Sequence, residues 1–513
     1  MEQSNSANAR IAKNTALLYV RMFVLMIMSF FTARITLNAL GVTDYGINNV
    51  VGGLVSMFYI LSNSMTTASG RFLTFGLGQG DLAYLKKIFS MTVNAHGIMA
   101  VICFIAIETV GVWFLNHKMT IPPDRLIAAN WVLQGSAAVF VIGLLSVPYN
   151  AVIIAHEKMT AFAYMSIFEA SFKLLIVIFL LYSSGDKLIL ISILTVVQYL
   201  IKQAIYWFYC KRNFEECVYV PGWDKALGKQ IFSFAGWNLI GSSAQQARNQ
   251  GVNIVINIFT GPVVNAARGI SMQINGIIEH FVDSFMTALN PQIIKYYASG
   301  DLTRMHTLIF QGTRLSYYLF MLLSIPIFFE IEQILYIWLG QVPEHTVLFS
   351  RLILILTLSG VNAYALSTAQ LATGDIKMYQ IVLGGLVLLN LPISYFLLRQ
   401  GVMPEMTVVV AIVISQICML ARLWFLRSSI KLSIRKFFKY VYFNMLEVLF
   451  IAALPPAVCY YMLDPGFLRV FVLGLTSLAA SVLTIYFVGC NRGERLLVLD
   501  YVKKTTRKMM RRK

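Results

Sequence analysis

Long runs of apolar residues recur along the whole 513-residue chain. An α-helix needs about 20 mostly apolar residues to cross the roughly 30 Å hydrocarbon core of a bilayer. Backbone polar groups in lipid must be paired internally, so these runs are predicted to be helices of an all-α polytopic membrane protein. Fourteen spans are predicted, at about 13–39, 45–70, 88–115, 126–152, 160–182, 187–210, 229–259, 262–290, 305–329, 346–373, 377–399, 404–427, 437–461 and 467–489.

Composition excludes several other classes of protein. The chain is 58% hydrophobic and 12% charged, whereas soluble domains are roughly 45–50% apolar and 25% charged. An ordinary cytoplasmic enzyme and a disordered chain are therefore both excluded. The six cysteines and six histidines are scattered, with no CxxC or HxxxH spacing, so no disulfide framework, metal site or cofactor is expected.

The formal charge of +18 is explained by membrane topology. With the N-terminus in the cytoplasm and the spans alternating, 29 Lys and Arg residues, Arg71 among them, fall on cytoplasmic segments and only six on outer ones. Cations concentrate in cytoplasmic loops. Both termini are thus predicted to be cytoplasmic. Membrane lipids are expected partners of the basic tail, and nucleic acid is not.

A weak internal repeat appears when the chain is shifted by 220 residues. Segment 41–82 then lies on 261–302 without a gap, and Gly80-Asp81-Leu82 meets Gly300-Asp301-Leu302. Six spans separate the copies, so the repeat is parallel and predicts two six-helix lobes. The predicted organisation is an N-terminal lobe 1–211, a linker 212–228, a C-terminal lobe 229–427, two additional helices 428–489 and a basic tail 490–513.

Ionisable side chains inside a membrane span are costly and usually face a cavity or a partner, and three arginines are the hardest to explain as cations of loops or span ends. They are Arg21, Arg248 and Arg268. Guanidinium groups stay charged when buried and bind phosphate oxygens bidentately. We expect these arginines to bind an anionic substrate in a cavity, with hydrogen bonding between helices as the alternative.

Amides accompany the arginines in the first two spans of each lobe. Such a density of polar side chains suits the wall of a wet cavity better than a lipid-facing helix, and amides suit sugar hydroxyls. The substrate is therefore expected to be large, anionic and rich in hydroxyl groups. The amides assigned to its binding are Asn48, Asn49, Asn249 and Asn253.

Two further sets of charged residues inside the spans each have a structural interpretation, and the first also has a functional one. Glu169 and Lys173 share one face of the fifth span and form either a self-neutralising pair or part of an ion-coupling site. Lys202 and Arg34 lie near the ends of their spans, where long side chains extend to the interface.

Glu279 and Asp283 share one face of the eighth span, and their like charges point to a coupling site for Na⁺ or H⁺. The alternative is pairing with Arg21 or Lys202 on neighbouring helices. The dipeptide Asn290-Pro291 is predicted to break this helix.

Several segments resemble those of a known family. They are TARITLNALGVTDYGI at the end of the first span, then FTGPVVNAARGISMQINGIIEHF and ALNPQIIKYYASGD in the second half. The chain resembles bacterial polysaccharide exporters of the Wzx type, in the multidrug/oligosaccharidyl-lipid/polysaccharide exporter (MOP) superfamily. That superfamily also holds the MATE antiporters and the lipid II flippases.

The resemblance implies a MATE-like, V-shaped pair of lobes that works by alternating access, often coupled to an ion. It implies translocation of an undecaprenyl-diphosphate-linked oligosaccharide (an O-antigen, capsule or exopolysaccharide unit) by a monomer that works beside a glycan polymerase or other assembly proteins. Fourteen helices are also common in lipid II flippases, so the subfamily stays open.

Other functions fit the sequence less well. A MATE-like multidrug antiporter is kept open by Glu279 and Asp283, although the arginines count against a cationic substrate. A glycan polymerase or ligase would carry a large basic outer loop, whereas the longest outer loop, about 330–346, is short and acidic. A scaffold has no need of a polar interior. A transporter rather than an enzyme is predicted.

Overall fold

The computed structural model describes residues 2–117, 119, 121–339, 342–491 and 493–495, which form helices and connections without a β-strand. The helices before residue 214 are α1 (Glu2–Ser56), α2 (Tyr59–Gln79), α3 (Leu82–Ala106), α4 (Val112–His117), α5 (Leu126–Ala155), α6 (Met159–Tyr182) and α7 (Lys187–Asn213). Those that follow are α8 (Lys225–Thr260), α9 (Pro262–Ala298), α10 (Leu302–Leu339), α11 (Thr346–Val361), α12 (Ala363–Thr373), α13 (Lys377–Leu388), α14 (Asn390–Arg399), α15 (Met406–Ile430), α16 (Ile434–Phe437), α17 (Phe443–Met462) and α18 (Phe467–Thr484).

Every predicted span lies on one of these helices or on a consecutive pair. In the described chain, eleven spans are long and apolar enough to cross a membrane, and a bent pair, Thr43–Ser56 with Tyr59–Gln79, makes a twelfth. The two other predicted spans lie in α8 and α9, which carry Arg248 and Arg268 and are not among the twelve. The chain is a multi-pass, all-α membrane protein, as predicted.

The chain folds into two compact units. The first, named the N unit, holds Ala12–Ser243 and Ile294–Gly300. Its core includes Leu133 and Phe140 of α5, which are buried among side chains of α3 and α7. Small residues let membrane helices approach closely, and α5 meets α7 at Gly135, where an added Cβ would collide with Oγ of Ser192.

An arginine joins α1 to the connections that precede α5 and α7 in the N unit. Arg125, next to the start of α5, donates from Nε to Oδ1 of Asp44 at 2.9 Å and from Nη1 to Oδ2 of Asp186 at 2.8 Å. Asp186 in turn accepts from the backbone N–H groups that begin α7. This contact fixes Asp44 of α1 relative to the starts of α5 and α7.

The second unit, named the C unit, holds Ala244–Ile293, the described residues from Asp301 onward and the first residues up to Ile11. A buried ion pair joins α18 to α10 in this unit, because Nε of Arg469 lies 2.7 Å from Oε1 of Glu330. α17 is joined to α10 by the Tyr318 hydroxyl, which donates to Oδ1 of Asn444 at 2.5 Å. The last two membrane helices are therefore held to α10 by polar contacts.

The weak sequence repeat has the same backbone conformation in both copies. Gly41, at a kink inside α1, and Gly261, between α8 and α9, have left-handed φ angles of 77° and 80°. Gly80 and Gly300 repeat this conformation at 78° and 76°, which side chains with a Cβ adopt at a cost. An aspartate caps the next helix in each copy, by accepting a backbone N–H, in the pairs Asp81 with Tyr84 and Asp301 with Arg304.

The predicted helix break at Asn290-Pro291 is wrong. α9 continues through Pro291 to Ala298. Proline removes one backbone donor, and membrane helices tolerate this loss when neighbouring groups satisfy the freed carbonyl. The dipeptide therefore lies inside a helix, and the break comes at Gly300 instead.

Candidate functional site

A polar cavity lies within the N unit between α1, α5, α6 and α7. It has a volume of about 670 Å³ and is named the N cavity. A membrane helix that faced lipid would not present such a series of hydroxyl and amide groups. The uncharged polar side chains in its wall include Ser29, Thr32, Thr36, Asn48, Ser136, Thr195 and Gln198.

Arg21 projects from α1 into the N cavity. Its guanidinium carbon lies 4.4 Å from the ring centroid of Phe162, which is close enough for a cation–π contact. The Nε atom is buried and has no hydrogen-bond partner within the described residues. Because an unsatisfied buried donor is costly, this nitrogen is suited to an acceptor oxygen of a bound ligand.

Glu169 of α6 forms its ion pair with α7. Its Oε1 atom lies 2.9 Å from Nζ of Lys202, and that ammonium stands 4.2 Å from the ring centroid of Tyr199. The predicted self-neutralising pair of Glu169 with Lys173 is therefore wrong, because the carboxylate pairs with Lys202 instead. The tertiary structure explains the difference. The i,i+4 spacing within α6 predicts Lys173 as the partner of the carboxylate, but α7 brings Lys202 to it instead.

The N cavity carries an excess of positive charge. Its charged wall residues are Arg21, Glu169 and Lys173, and Lys202 neutralises the carboxylate among them. Lys173 is exposed, and the described residues hold no ion-pair partner for it. Two cations thus remain to attract an anion into a space lined with hydroxyls and amides.

The other two predicted arginines meet in the C unit. Arg248 of α8 donates from Nη2 to Oδ1 of Asn249 at 2.9 Å. Arg268 of α9 is buried and donates to Oδ1 of Asn253 and to the carbonyl of Asn249. The four predicted residues on these two helices therefore form one hydrogen-bonded cluster, named the C cluster. Nε of Arg268 is buried without a partner in the described part of the chain.

The predicted acidic pair lies further along α9. Glu279 accepts a hydrogen bond from the Tyr364 hydroxyl at 2.9 Å and one from Nδ2 of Asn275 at 3.3 Å. No described cation forms an ion pair with it, while Arg248 lies within its electrostatic range. Asp283 is exposed and within electrostatic range of Glu279. Of the two arginines in the C cluster, Arg248 therefore lies within electrostatic range of this acidic pair through Glu279.

The outcome for the remaining predicted residues is mixed. Asn48 lines the N cavity, whereas the side chain of Asn49 lies outside the described residues. The sequence did not indicate the aromatic partners, Phe162 beneath Arg21 and Tyr364 beside Glu279. Aromatic residues are abundant in every span, so no sequence signal distinguishes those two.

An ion pair changes the pKa of one carboxylate that lies outside the membrane spans. Asp224, in the connection before α8, accepts from Lys87 at 2.8 Å and from the backbone N–H groups of Ala226 and Leu227. The hydrogen bond from Lys87, followed by those from the backbone, lowers the pKa of Asp224 below its ordinary value. The described residues hold no group of three His, Cys, Asp or Glu side chains that could bind a metal ion.

Comparison with known proteins identifies the fold. No family model and no curated protein sequence matches the chain. Among solved structures it is similar to an outward-facing multidrug-resistance MATE family transporter of the MOP superfamily, with a TM-score of 0.70 and 12% identity over 83% of this chain and 96% of that one. It is also similar to a MATE in the bent conformation, with a TM-score of 0.70 and 11% identity over 83% and 97% of the two chains.

A third similar structure is a MOP superfamily transporter from Pyrococcus furiosus, described by a reverse polarity of its binding pocket that suggests a different function. Its TM-score is 0.68, with 12% identity over 83% of this chain and 96% of that one. The chain therefore shares the fold of these MATE transporters.

Proposed function

We propose that this protein is a transporter that moves an undecaprenyl-diphosphate-linked oligosaccharide across the bacterial inner membrane by alternating access. The observation that carries the proposal is the charge of the N cavity. Arg21 and Lys173 are in its wall, and the one wall carboxylate is paired with Lys202. A membrane cavity with surplus fixed cations favours an anionic ligand.

The chemistry of the walls supports a phosphate linked to a sugar. A guanidinium group presents a planar fork that matches two phosphate oxygens, and the free Nε of Arg21 is one prong of such a fork. Hydroxyl and amide side chains, such as Asn48 and Thr195, are suited to pair with sugar hydroxyls. In the C cluster, the free Nε of Arg268 offers a second donor of the same kind.

The fold supports transport and leaves the polarity of the ligand open. Similar structures include multidrug transporters, and the Pyrococcus furiosus relative is described by a pocket of reverse polarity. Pocket polarity within one fold can therefore differ, and the ligand class has to be argued from the residues. Here those residues are cationic. A lipid II-type flippase would share this chemistry, because its substrate is also a lipid-linked diphosphate.

A MATE-like cation-coupled antiporter is the second candidate, and one observation favours it. Asp283 is an exposed carboxylate near Glu279, which the Tyr364 hydroxyl holds in place. Under the main proposal this acidic pair binds the coupling ion, Na⁺ or H⁺. The two candidates separate on Asp283→Asn. Loss of drug resistance without a glycan defect would favour the antiporter.

Transport is tested most directly in liposomes that contain the purified protein and a lipid-linked oligosaccharide diphosphate. We expect Arg21→Ala and Arg248→Ala to abolish translocation while the protein stays in the membrane, because each removes a phosphate donor. Arg21→Lys should retain part of the activity, since an ammonium keeps the charge but loses the bidentate fork. Arg34→Ala is the matched control, because Arg34 is an exposed arginine on the same helix.

One outcome in each assay would contradict these expectations. Full translocation by Arg21→Ala would remove this residue from the substrate site. In cells, deletion of the gene should leave the lipid-linked oligosaccharide on the cytoplasmic face, and undiminished delivery to the outer face would contradict the proposal.

The remaining parts of the proposal concern orientation and partners. We place both termini in the cytoplasm, because the positive-inside bias of the sequence requires it. We propose a monomer that delivers its product to a glycan polymerase or to other assembly proteins. Cysteine labelling from each side of the membrane, at Ser4 and at Asp464, tests the orientation.

A further inference from the structure

A basic turn joins α15 to α16 in the C unit, far along the chain from the cations considered above. Three cations, Arg427, Lys431 and Arg435, line a pocket of about 590 Å³ at this turn. The other lining residues are Leu432, Ser433 and Ile434, so the described wall contains no carboxylate. The connection at 430–435, together with these three cations, is named the basic turn.

The basic turn is a built structure and not a loose linker. Ile430 and Leu432, which flank Lys431, are 0% and 1% exposed. The ring Nε2 of His306 lies 2.9 Å from the carbonyl of Ile430, and the N–H of Leu432 donates to the carbonyl of Leu426 at 3.2 Å. Lys431 itself has a left-handed φ of 57°. The backbone therefore holds the cations in a defined arrangement.

The charges of the basic turn are not neutralised by the protein. Among the described residues, no carboxylate lies within ion-pair distance of Arg427, Lys431 or Arg435, and all three side chains are exposed. Lys436 and Lys439 follow on the same segment and add to the positive potential. Neighbouring cations without counterions repel one another. An anion bound in the pocket would relieve that repulsion.

The depth of the basic turn identifies the source of that anion. It lies where two apolar spans, Met406–Ile430 and Ile434–Met462, end and begin. Trp424 is 63% exposed and Tyr440 is 54% exposed, on either side of the turn. Exposed tryptophan and tyrosine at span ends occupy the headgroup level of a bilayer. The pocket is therefore at the height of lipid phosphates.

We propose that the basic turn binds the phosphate of an anionic glycerophospholipid from the surrounding membrane. Basic pockets between membrane helices bind anionic lipid headgroups in this way. The acyl chains would extend along the apolar side chains next to Trp424 and Tyr440, which a free phosphate ion would leave uncovered. The bound lipid would hold the connection that leads to α17 and α18. This site is independent of the proposed transport function.

Binding of dansyl-labelled phosphatidylglycerol to the purified full-length protein in detergent tests the proposal. The pocket variant is Arg427→Gln with Lys431→Gln, and the matched control is Lys436→Gln with Lys439→Gln, which removes the same charge outside the pocket. A cation that contacts the bound phosphate contributes about fivefold to binding of an anionic lipid, whereas solvent and salt screen a cation outside the pocket. We expect affinity to fall about 30-fold in the pocket variant and at most a few-fold in the control.

The controls separate the possible sources of binding. Dansyl-phosphatidylcholine should bind the wild-type protein much more weakly, and inorganic phosphate at millimolar concentration should not displace the phosphatidylglycerol probe. Equal losses in the two double variants, equal binding of the two lipids, or displacement by inorganic phosphate would each overturn the proposal. If the pocket variant does not fold, the single variant Arg435→Gln, which removes an exposed cation of the same pocket, takes its place.

Discussion

The charge of the N cavity allows a prediction in which two variants of similar size have opposite effects. Arg21→Gln removes a cation from the wall, and Glu169→Gln removes the carboxylate that Lys202 neutralises. Both replace a charged side chain by an uncharged amide. For an anionic ligand, affinity should fall with the first variant and rise with the second. For a cationic ligand, both signs are reversed.

The size of the effect follows from the dimensions of the cavity. A sphere of about 670 Å³ has a radius of about 5.4 Å, so a charge at its centre is about that far from a wall charge. At this distance one unit charge changes the energy of another by about 3 kcal/mol at an effective dielectric constant of 20, and by about 0.8 kcal/mol in bulk water. The dissociation constant should therefore change by about 4-fold to about 180-fold for a ligand with one charge, and by more for a diphosphate, which carries several.

The assay is calorimetric titration of the purified protein with a short isoprenyl diphosphate, at low and high ionic strength. The difference between the two variants should shrink as salt is added, because a cavity open to water is partly screened. Arg34→Gln serves as the control for removal of an arginine from α1. A loss of affinity in both variants would mean that they disturb the structure and not the charge, and would refute the reasoning.

Three further predictions concern stability. Arg469→Ala leaves the buried carboxylate of Glu330 without its partner, so it should destabilise the protein by about 3–5 kcal/mol in denaturant unfolding. The double variant with Glu330→Ala should recover part of this loss. An unchanged unfolding midpoint in Arg469→Ala would contradict the prediction. Gly261→Ala should cost about 1–2 kcal/mol from the left-handed φ alone, because an added Cβ meets no atom within 4 Å; Gly261→Asn should cost less, and equal costs would point to a clash. Lys87 lowers the pKa of Asp224, whose ionised carboxylate caps the start of α8. The cap should therefore persist at neutral pH and be lost as the pH falls through that lowered pKa. Hydrogen exchange of the first α8 amides should show this pH dependence in the wild-type protein and not in Asp224→Asn.

The positions of the helices follow from local sequence, because hydrophobicity over about 20 residues is enough to define a membrane span. The repeat was visible for a related reason. Gly80-Asp81-Leu82 and Gly300-Asp301-Leu302 mark the same left-handed turn and the same aspartate cap, and both features require particular residue types. The break predicted at Pro291 failed because local propensity does not reveal whether neighbours satisfy a freed carbonyl.

Electrostatic partners did not follow from local sequence. Arg71 was counted among cations outside the spans, yet it is buried in α2 with its guanidinium carbon 4.5 Å from the ring centroid of Phe72 and 5.7 Å from that of Phe234. Phe234 is more than 160 residues away along the chain. Only the packing of helices brings such groups together.

The sequence by itself determined that this protein is a helical membrane protein, where its spans lie and which charged residues are too costly to face lipid. Those properties depend on transfer of each segment from water to lipid, which is a local quantity. Tertiary structure alone decided which charges neutralise one another. It pairs Glu169 with Lys202 of another helix and leaves Arg21 and Lys173 as surplus cations of the N cavity. Electrostatic energy depends on distance in space and not along the chain, so the charge of the cavity exists only in the folded protein.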